Sequence, residues 1–232
     1  MMRRSFVVWC FFVAGVLAAA PVRAHHGKDF LLVETVELPR PGELYFFSAQ
    51  DAIRHEGSTT LEVSPALLLG VSRIVAFEVH GHASHEEDRW TYEATAPGLR
   101  IQLPRSSRLR VGFSAEYEIA HEEDTHDHLG GRFIVSYRHG PTLFAANLVA
   151  ERAVGEDEPT EIGYAFGLRP NLGSRLGWGI EAQGGLQNRE GHEVLLGLYV
   201  EPSDRFTLKV GVGTAFGNGP DWTVRTGIVF RL

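Results

Sequence analysis

The sequence predicts an all-β protein, a transmembrane antiparallel up-and-down β-barrel of about 12 strands, within a range of about 10 to 14. Apolar residues alternate with polar or small residues over long segments, which is the pattern of a two-faced strand. These segments run about 9–13 residues, near the 9–11 that a tilted membrane-spanning strand needs and longer than most soluble strands. Short turns and longer acidic loops alternate between them, as in up-and-down barrels.

Residues 1–24 are predicted to be a cleaved secretory signal peptide. Arg3 and Arg4 precede an apolar segment over residues 6–20, which fits a signal h-region and is short for a membrane-spanning helix. Cleavage after Ala24 suits the small residue there, and an uncleaved anchor is the alternative. Cys10, the only cysteine, lies in this segment, so the exported chain is expected to fold without disulfides.

The chain that follows is acidic. Removing residues 1–24 removes three arginines and no acid, which takes the formal charge from −7 to about −10. Without a basic block, nucleic acid is not expected as a partner. Residues 44–232 are predicted to form the barrel, and residues 25–43 to be either a periplasmic extension or a segment tucked into the barrel mouth.

The strands are predicted in chain order from the alternation. In the fifth, Leu109, Val111 and Phe113 share one face, and Glu116 and Glu118 share the other. The fourth changes phase near Pro97-Gly98, which predicts a β-bulge there. The predicted strands are 44–53, 59–69, 73–82, 89–102, 107–120, 131–138, 142–153, 160–169, 175–187, 192–201, 205–216 and 222–232.

The connections predict the orientation of the barrel. One set is short and rich in Pro, Gly and Ser: "LGVS", "PRSS", "RHGP", "PNLGS" and "EPSD". The other set is acidic, and includes "ASHEED", "HEEDTHDHLGG" and "GEDEPT". Outer-membrane barrels have short periplasmic turns and longer outer loops, so both termini are predicted to be periplasmic. Aromatic residues near both strand ends fit the two interfacial girdles.

The C-terminal strand carries a specific motif. Gly227, Phe230 and Leu232 in "TGIVFRL" resemble the outer-membrane assembly signal, with Leu232 in place of the usual terminal aromatic residue. The resemblance implies insertion by the barrel-assembly machinery into a Gram-negative outer membrane, among its lipids and lipopolysaccharide. "HHGKDFLL" followed by this barrel also resembles a group of small outer-membrane barrels, porin-like and loosely described as transporters, for which no substrate is established.

Histidines and acids cluster in the predicted outer loops. The candidate metal ligands are His121, His126, His128, His82 and His85, to which His25 and His26 are added if cleavage frees the amine of His25. Imidazole and carboxylate groups suit Zn²⁺ or Cu²⁺. The alternative is a hydrated acidic surface that binds Ca²⁺ or Mg²⁺ loosely beside lipopolysaccharide. No cofactor is required by the predicted fold.

Charged residues also lie on the predicted lumen face. Opposite charges could pair and fill the lumen, or line a water path as in selective pores. About twelve strands give a bore between the filled eight-stranded barrel and the open porin. The predicted lumen-lining residues are Glu62, Glu78, His80, Glu93, Glu116, Glu118, Arg132, Arg169, Arg175, Glu181, Lys209 and Arg225.

These features predict a narrow channel or transporter for small solutes or ions, with a link to metals through the histidine-rich loops. A structural or adhesive barrel with a plugged lumen is the main alternative. A surface hydrolase is a further alternative, since Ser84 lies between His82 and His85, and Asp88 or Asp124 could pair with a histidine. The sequence favours a protein that is not an enzyme.

Overall fold

The computed structural model describes residues 29–86, 88–104, 108–122, 125–155, 159–187, 191–217 and 219–232. Twelve strands lie in these ranges: β1 Leu44–His55, β2 Ser58–Gly70, β3 Val75–Glu86, β4 Arg89–Gln102, β5 Leu109–Ala120, β6 His128–His139, β7 Thr142–Ala153, β8 Glu161–Arg169, β9 Leu176–Gly185, β10 His192–Ser203, β11 Phe206–Phe216 and β12 Trp222–Arg231. Across the same ranges, no helix is both long and apolar enough to cross a membrane.

The strands form a closed up-and-down barrel. Each strand pairs antiparallel with its neighbours in sequence, and β12 closes the barrel by pairing with β1 from Tyr45↔Arg231 to Arg54↔Trp222. The predicted fold and strand number are therefore confirmed. The end that carries Leu44, Leu232 and the short turns is called the turn end, and the opposite end is called the loop end.

β3 differs most from its predicted bounds, because it ends at Glu86 rather than at residue 82. A smaller difference lies at the start of β6. This strand begins at His128, so the last part of "HEEDTHDHLGG" belongs to the barrel wall. Its inward and outward positions continue the alternation of the strand without a break. The loop between β5 and β6 is correspondingly shorter than the sequence pattern indicates.

The predicted bulge near Pro97-Gly98 is wrong in position. The β3–β4 register shifts between His82 and Ala83, which pair with Ala94 and Tyr92, so Glu93 is the extra residue. The β4–β5 register is the same at Thr95 as at Gly98. Pro97 therefore lies where the pairing register does not shift, and the bulge lies closer to the loop end.

The burial pattern is that of a membrane barrel, with apolar residues outside and polar residues inside. Outward residues such as Leu99, Trp178 and Leu196 are exposed on the barrel surface, where lipid would cover them. Inward residues include charged side chains that are fully buried, among them Arg169 and Glu181. A soluble sandwich would place these two sets the other way round.

Residues 29–38, here called the inner segment, lie inside the barrel. Phe30, Leu31, Leu32 and Val33 are 0% exposed, which shows that the barrel wall surrounds them. The chain passes into the lumen beside Gly70, where a Cβ would lie only 2.2 Å from the carbonyl oxygen of Arg40. Residues 1–28, which include the predicted signal peptide, lie outside the described residues.

The inner segment enters the lumen at the turn end, reaches about the middle of the barrel and folds back toward the turn end. It contacts Gly112 through Val36 near the start of β5, and reaches Glu181 at the middle of β9 through the backbone of Leu31 and Leu32. Asp29, the first residue of the segment, lies back at the turn end, where its carbonyl oxygen contacts Arg169 of β8. The segment therefore occupies the turn-end half of the lumen.

Candidate functional site: the barrel lumen

Glu181 holds the inner segment by its backbone. The carboxylate of this β9 residue accepts hydrogen bonds from the amides of Leu31 at 2.8 Å, Leu32 at 2.6 Å and Val33 at 3.2 Å. It also accepts one from the Tyr199 hydroxyl at 2.6 Å. A single fully buried carboxylate thus accepts hydrogen bonds from several backbone amides.

Two cationic side chains bind carbonyl groups of the same segment. Lys209 Nζ donates to the carbonyl oxygen of Phe30 at 2.6 Å, and Arg169 Nη1 donates to that of Asp29 at 3.3 Å. Arg169 also pairs with Glu201 and lies over the Tyr199 ring, with Cζ 4.3 Å from the ring centroid. Lys209 and Arg169 therefore bind backbone carbonyl groups of the segment, and Glu181 binds its backbone amides.

Glu34 is held through both its side chain and its backbone. Its carboxylate lies 3.4 Å from Arg100 and 3.4 Å from Arg132. Its backbone amide donates to Asn147 Oδ1 at 2.8 Å, and Asn147 Nδ2 donates to its carbonyl oxygen at 3.0 Å. Arg100 belongs to β4 and Arg132 to β6, so Glu34 links the two strands that flank β5.

Arg100 connects this contact to a buried acid. It donates two hydrogen bonds to Glu78, at 2.6 and 2.7 Å. His80 Nε2 lies 2.5 Å from the same carboxylate. The charges of the predicted lumen face are therefore paired in this half of the barrel.

A second ion-pair network lies toward the loop end. Arg225 of β12 pairs with Asp51 of β1 and, at 2.9 Å, with Glu193 of β10. Glu193 also accepts hydrogen bonds from Thr223 and, at 2.8 Å, from Gln183. This network joins both sides of the β1–β12 closure and fills that part of the lumen.

The opposite wall of the loop-end half is more open. Glu116, Glu118 and Glu151 face inward there and are only half-buried. A cleft lies against this wall, and Glu116, Glu151 and Arg132 line it. Because Arg132 also contacts Glu34, the cleft extends to the inner segment.

Three solved structures of outer-membrane proteins share this architecture. No protein-family model matches the sequence, and no curated protein matches it. An outer-membrane channel from Pseudomonas putida F1 has a TM-score of 0.65 at 8% identity, covering 85% of this chain and 98% of the channel. The KdgM porin has a TM-score of 0.60 at 6% identity, covering 80% of this chain and 98% of the porin. The NanC porin has a TM-score of 0.59 at 9% identity, covering 82% of this chain and 100% of the porin.

The chain has the fold of an outer-membrane porin. At 6–9% identity this likeness establishes the barrel architecture and carries no information about a solute. The function of this porin-like barrel must therefore be argued from its own lumen.

Most predicted lumen residues are on the inward face of the porin-like barrel. Glu78, His80, Arg132, Arg169, Glu181, Lys209 and Arg225 are buried there, and Glu62, Glu116 and Glu118 are half-buried, as is Glu93 at the bulge. Arg175 is the exception: β9 begins at Leu176, and Arg175 is exposed in the preceding turn. A lumen-lining position for Arg175 therefore stays a prediction.

Several lumen residues escape the sequence pattern. Arg100 lies beyond the displaced bulge, so its face cannot be read from the start of β4. Glu193 and Tyr199 lie in "EVLLGLYV", where apolar residues occupy both faces and hide the alternation. Asp51 follows the regular alternation of β1, which is the signal that could have identified it.

The structure separates the predicted metal ligands. His82 faces the lumen and accepts or donates a hydrogen bond with Ser64 at 3.1 Å, whereas His85 faces outward against Trp90. His121 stacks on Tyr92, with ring centroids 5.1 Å apart. In the part of the chain that the structure describes, no three histidine, cysteine or acidic side chains converge as a metal site.

The other histidines also lie apart. His128 faces inward and lies 3.2 Å from Glu151, and His126 is exposed in the loop. His25 and His26 lie outside the described residues. Binding of Zn²⁺ or Cu²⁺ through these residues, and loose binding of Ca²⁺ or Mg²⁺, therefore stay predictions.

One acid of the β5–β6 loop has a defined structural role. The Tyr117 hydroxyl donates to Asp127 Oδ2 at 2.6 Å, and the Ala120 amide donates to Oδ1 at 3.0 Å. The hydrogen bond from Tyr117 is the main cause that holds the pKa of Asp127 below its ordinary value. This carboxylate therefore stays ionised and ties the loop to the end of β5.

The structure also separates the candidate catalytic residues of a surface hydrolase. Ser84 faces the lumen, whereas His85 faces outward, so these neighbours in sequence lie on opposite sides of the wall. Ser64 contacts His82, but Glu118 lies 3.9 Å from His82 Nε2, beyond hydrogen-bond distance. Asp124 lies outside the described residues.

Proposed function

We propose that this chain is a narrow outer-membrane channel for small solutes or ions, and that the inner segment is its gate. The observation that carries this proposal is the position of residues 29–38, which fill the turn-end half of a polar lumen without belonging to the barrel wall. A segment of this kind can leave the lumen while the strand pairing of the barrel stays intact. We further propose that the turn end faces the periplasm of a Gram-negative cell, where short turns normally lie.

The charge of the loop-end wall supports a solute class. Its half-buried carboxylates are Glu116, Glu118 and Glu151, and two of them, Glu116 and Glu151, line a cleft that Arg132 connects to the inner segment. Charged groups that line a pore disfavour ions of the same sign. Cations and neutral solutes are therefore favoured over polyanions such as the oligogalacturonate present with the KdgM porin.

A reversible cross-link tests the gate in the full-length barrel. Arg110 Nη1 and Glu37 Oε2 are 3.5 Å apart, so these positions connect the wall to the inner segment. Cysteines at Arg110→Cys and Glu37→Cys, with Cys10→Ser, can be joined by a short disulfide-linked bifunctional thiol reagent. In planar bilayers, we expect voltage-dependent openings that disappear on cross-linking and return when reductant releases the link.

The two single-cysteine variants are the controls, since the reagent can label them but cannot join the segment to the wall. Openings that persist in the cross-linked double variant would show that residues 29–38 are not the gate. A barrel that never conducts, with or without the link, would favour the structural alternative with a permanently plugged lumen.

A further inference from the structure

A second cleft lies at the turn end between the inner segment and the wall formed by β5, β6 and β7. It is distinct from the contacts of Glu181 and Glu34 that hold the segment. Arg108, Arg110 and Arg138 line it together with Ser136. Asp29 and Glu37 contribute the acids of the lining, so the cleft carries a net positive charge.

The strand register places the three arginines side by side. Arg110 is paired with Ser136 across β5 and β6. Arg138 is bound at its backbone amide to the carbonyl oxygen of Arg108 at 2.9 Å, which sets these two arginines opposite each other. Like charges opposite each other on neighbouring strands are destabilising. An anion between them would offset that repulsion.

The acids of the cleft are already occupied. Glu37 lies 3.5 Å from Arg110, and Asp29 Oδ2 accepts a hydrogen bond from Thr35 Oγ1 at 2.8 Å. In the described ranges, neither Arg108 nor Arg138 has a side-chain hydrogen bond or ion pair. Among the described residues, no carboxylate is therefore paired with these two guanidinium groups.

A buried hydroxyl group points to the same ligand. Ser136 is 4% exposed, and its Oγ has no hydrogen-bond partner in the part of the chain that the structure describes. Buried polar groups are normally hydrogen-bonded. A ligand oxygen in the cleft would satisfy this hydroxyl and accept from the arginines at once.

The position on the strand excludes the lipid-facing side. Ser136 and Ile134 are buried on the inward face of β6, whereas Tyr137 between Ser136 and Arg138 is on the outward face. Alternation places Arg138 on the inward side, at the mouth of the lumen. Leu143, paired with Arg138 across β6 and β7, adds an apolar patch.

We propose that this cleft binds the carboxylate or phosphate group of a small soluble solute, with Arg108, Arg138 and the Ser136 hydroxyl as its donors. Guanidinium groups bind such oxyanions through charge-assisted hydrogen bonds. The site is separate from the acidic wall at the loop end. Binding here does not require the barrel to conduct.

Calorimetric titration of the full-length barrel, folded in an uncharged detergent, tests the site with inorganic phosphate and, separately, with succinate. We expect saturable binding of at least one of the two. Arg138→Gln and Arg108→Gln are each expected to weaken it by about tenfold, because each removes a charge-assisted hydrogen bond. Ser136→Ala is expected to weaken it less. Both arginines are exposed, so these variants should retain the folded barrel, which its resistance to unfolding in detergent would report.

Arg175→Gln is the matched control, since Arg175 is an exposed arginine at the same end of the barrel and outside the cleft. Equal weakening in Arg175→Gln, or no saturable binding of either anion, would overturn the proposal. A repeat in bilayer discs separates the two sources of an oxyanion. Phosphate binding that disappears when phosphatidylglycerol surrounds the barrel would assign the cleft to a lipid headgroup and overturn the soluble solute.

Discussion

Glu181→Ala is expected to release the inner segment and raise the fraction of time that the barrel is open by about tenfold or more. The substitution removes the acceptor of three backbone amides, those of Leu31, Leu32 and Val33. Each hydrogen bond to a charged acceptor contributes about 1.5–3 kcal/mol, and water that enters the vacated space recovers part of this. Planar-bilayer recording measures the open fraction, and amide hydrogen exchange at residues 31–33 measures release directly.

Two variants give this prediction a graded series. Glu181→Gln retains a carbonyl acceptor without the charge, so its effect should lie between wild type and Glu181→Ala. Glu151→Ala removes a lumen carboxylate that pairs with His128 rather than with the segment, and should leave amide exchange at residues 31–33 unchanged. Equal exchange in Glu181→Ala and Glu151→Ala would contradict a holding role for Glu181.

A larger side chain at Gly167 provides an independent way to displace the inner segment. Gly167 faces Phe30 so closely that a Cβ would lie 2.7 Å from the ring. Gly167→Val should therefore push Phe30 out of its position and also raise the open fraction. If Glu181→Ala failed to fold, Gly167→Val would still decide whether release of the segment opens the barrel.

The barrel wall could be predicted because each strand reports its own environment. Lipid on one side and a polar lumen on the other impose a period of two on every strand, as in Leu109–Glu118 of β5. The turn residues then mark the ends of the strands. This information is local, so all twelve strands are recognised in the sequence to within a few residues.

The interior could not be predicted because its contacts are not local. Leu31 and Glu181 are 150 residues apart, and nothing in "DFLLVETVEL" indicates which wall residues bind its backbone. The inner segment is also not a strand, so it follows no period that would show which side faces which wall. The sequence left two places open for it for this reason.

The histidines show where proximity in sequence misleads. His82 and His85 are three positions apart, which puts them on opposite faces of β3 once the strand extends that far. The predicted strand ends at residue 82, and the residues beyond it are predicted to form an outer loop. Knowing the true end of β3 at Glu86 is enough to separate the two imidazoles.

The largest stability effect is expected at the β1–β12 closure. Arg225→Met should lower the free energy of unfolding by about 3–5 kcal/mol, because it leaves two buried carboxylates, Asp51 and Glu193, without their cation. Gly213 lies between β10 and β12 at this level, and a Cβ there would lie 2.8 Å from Thr223 Oγ1. The absence of that side chain lets the network reach across β11.

Removing all three charges separates two effects on the free energy of unfolding: that of leaving a buried charge without its partner, and that of the network as a whole. Asp51→Asn, Glu193→Gln and Arg225→Met together should recover most of the loss, since no buried charge then lacks a partner. Arg54→Met is the control: Arg54 is on the outward face at the same end, and its change should stay within about 0.5 kcal/mol. Equilibrium unfolding in lipid or detergent measures all three. A loss as small in Arg225→Met as in Arg54→Met would show that the network does not hold the barrel closed.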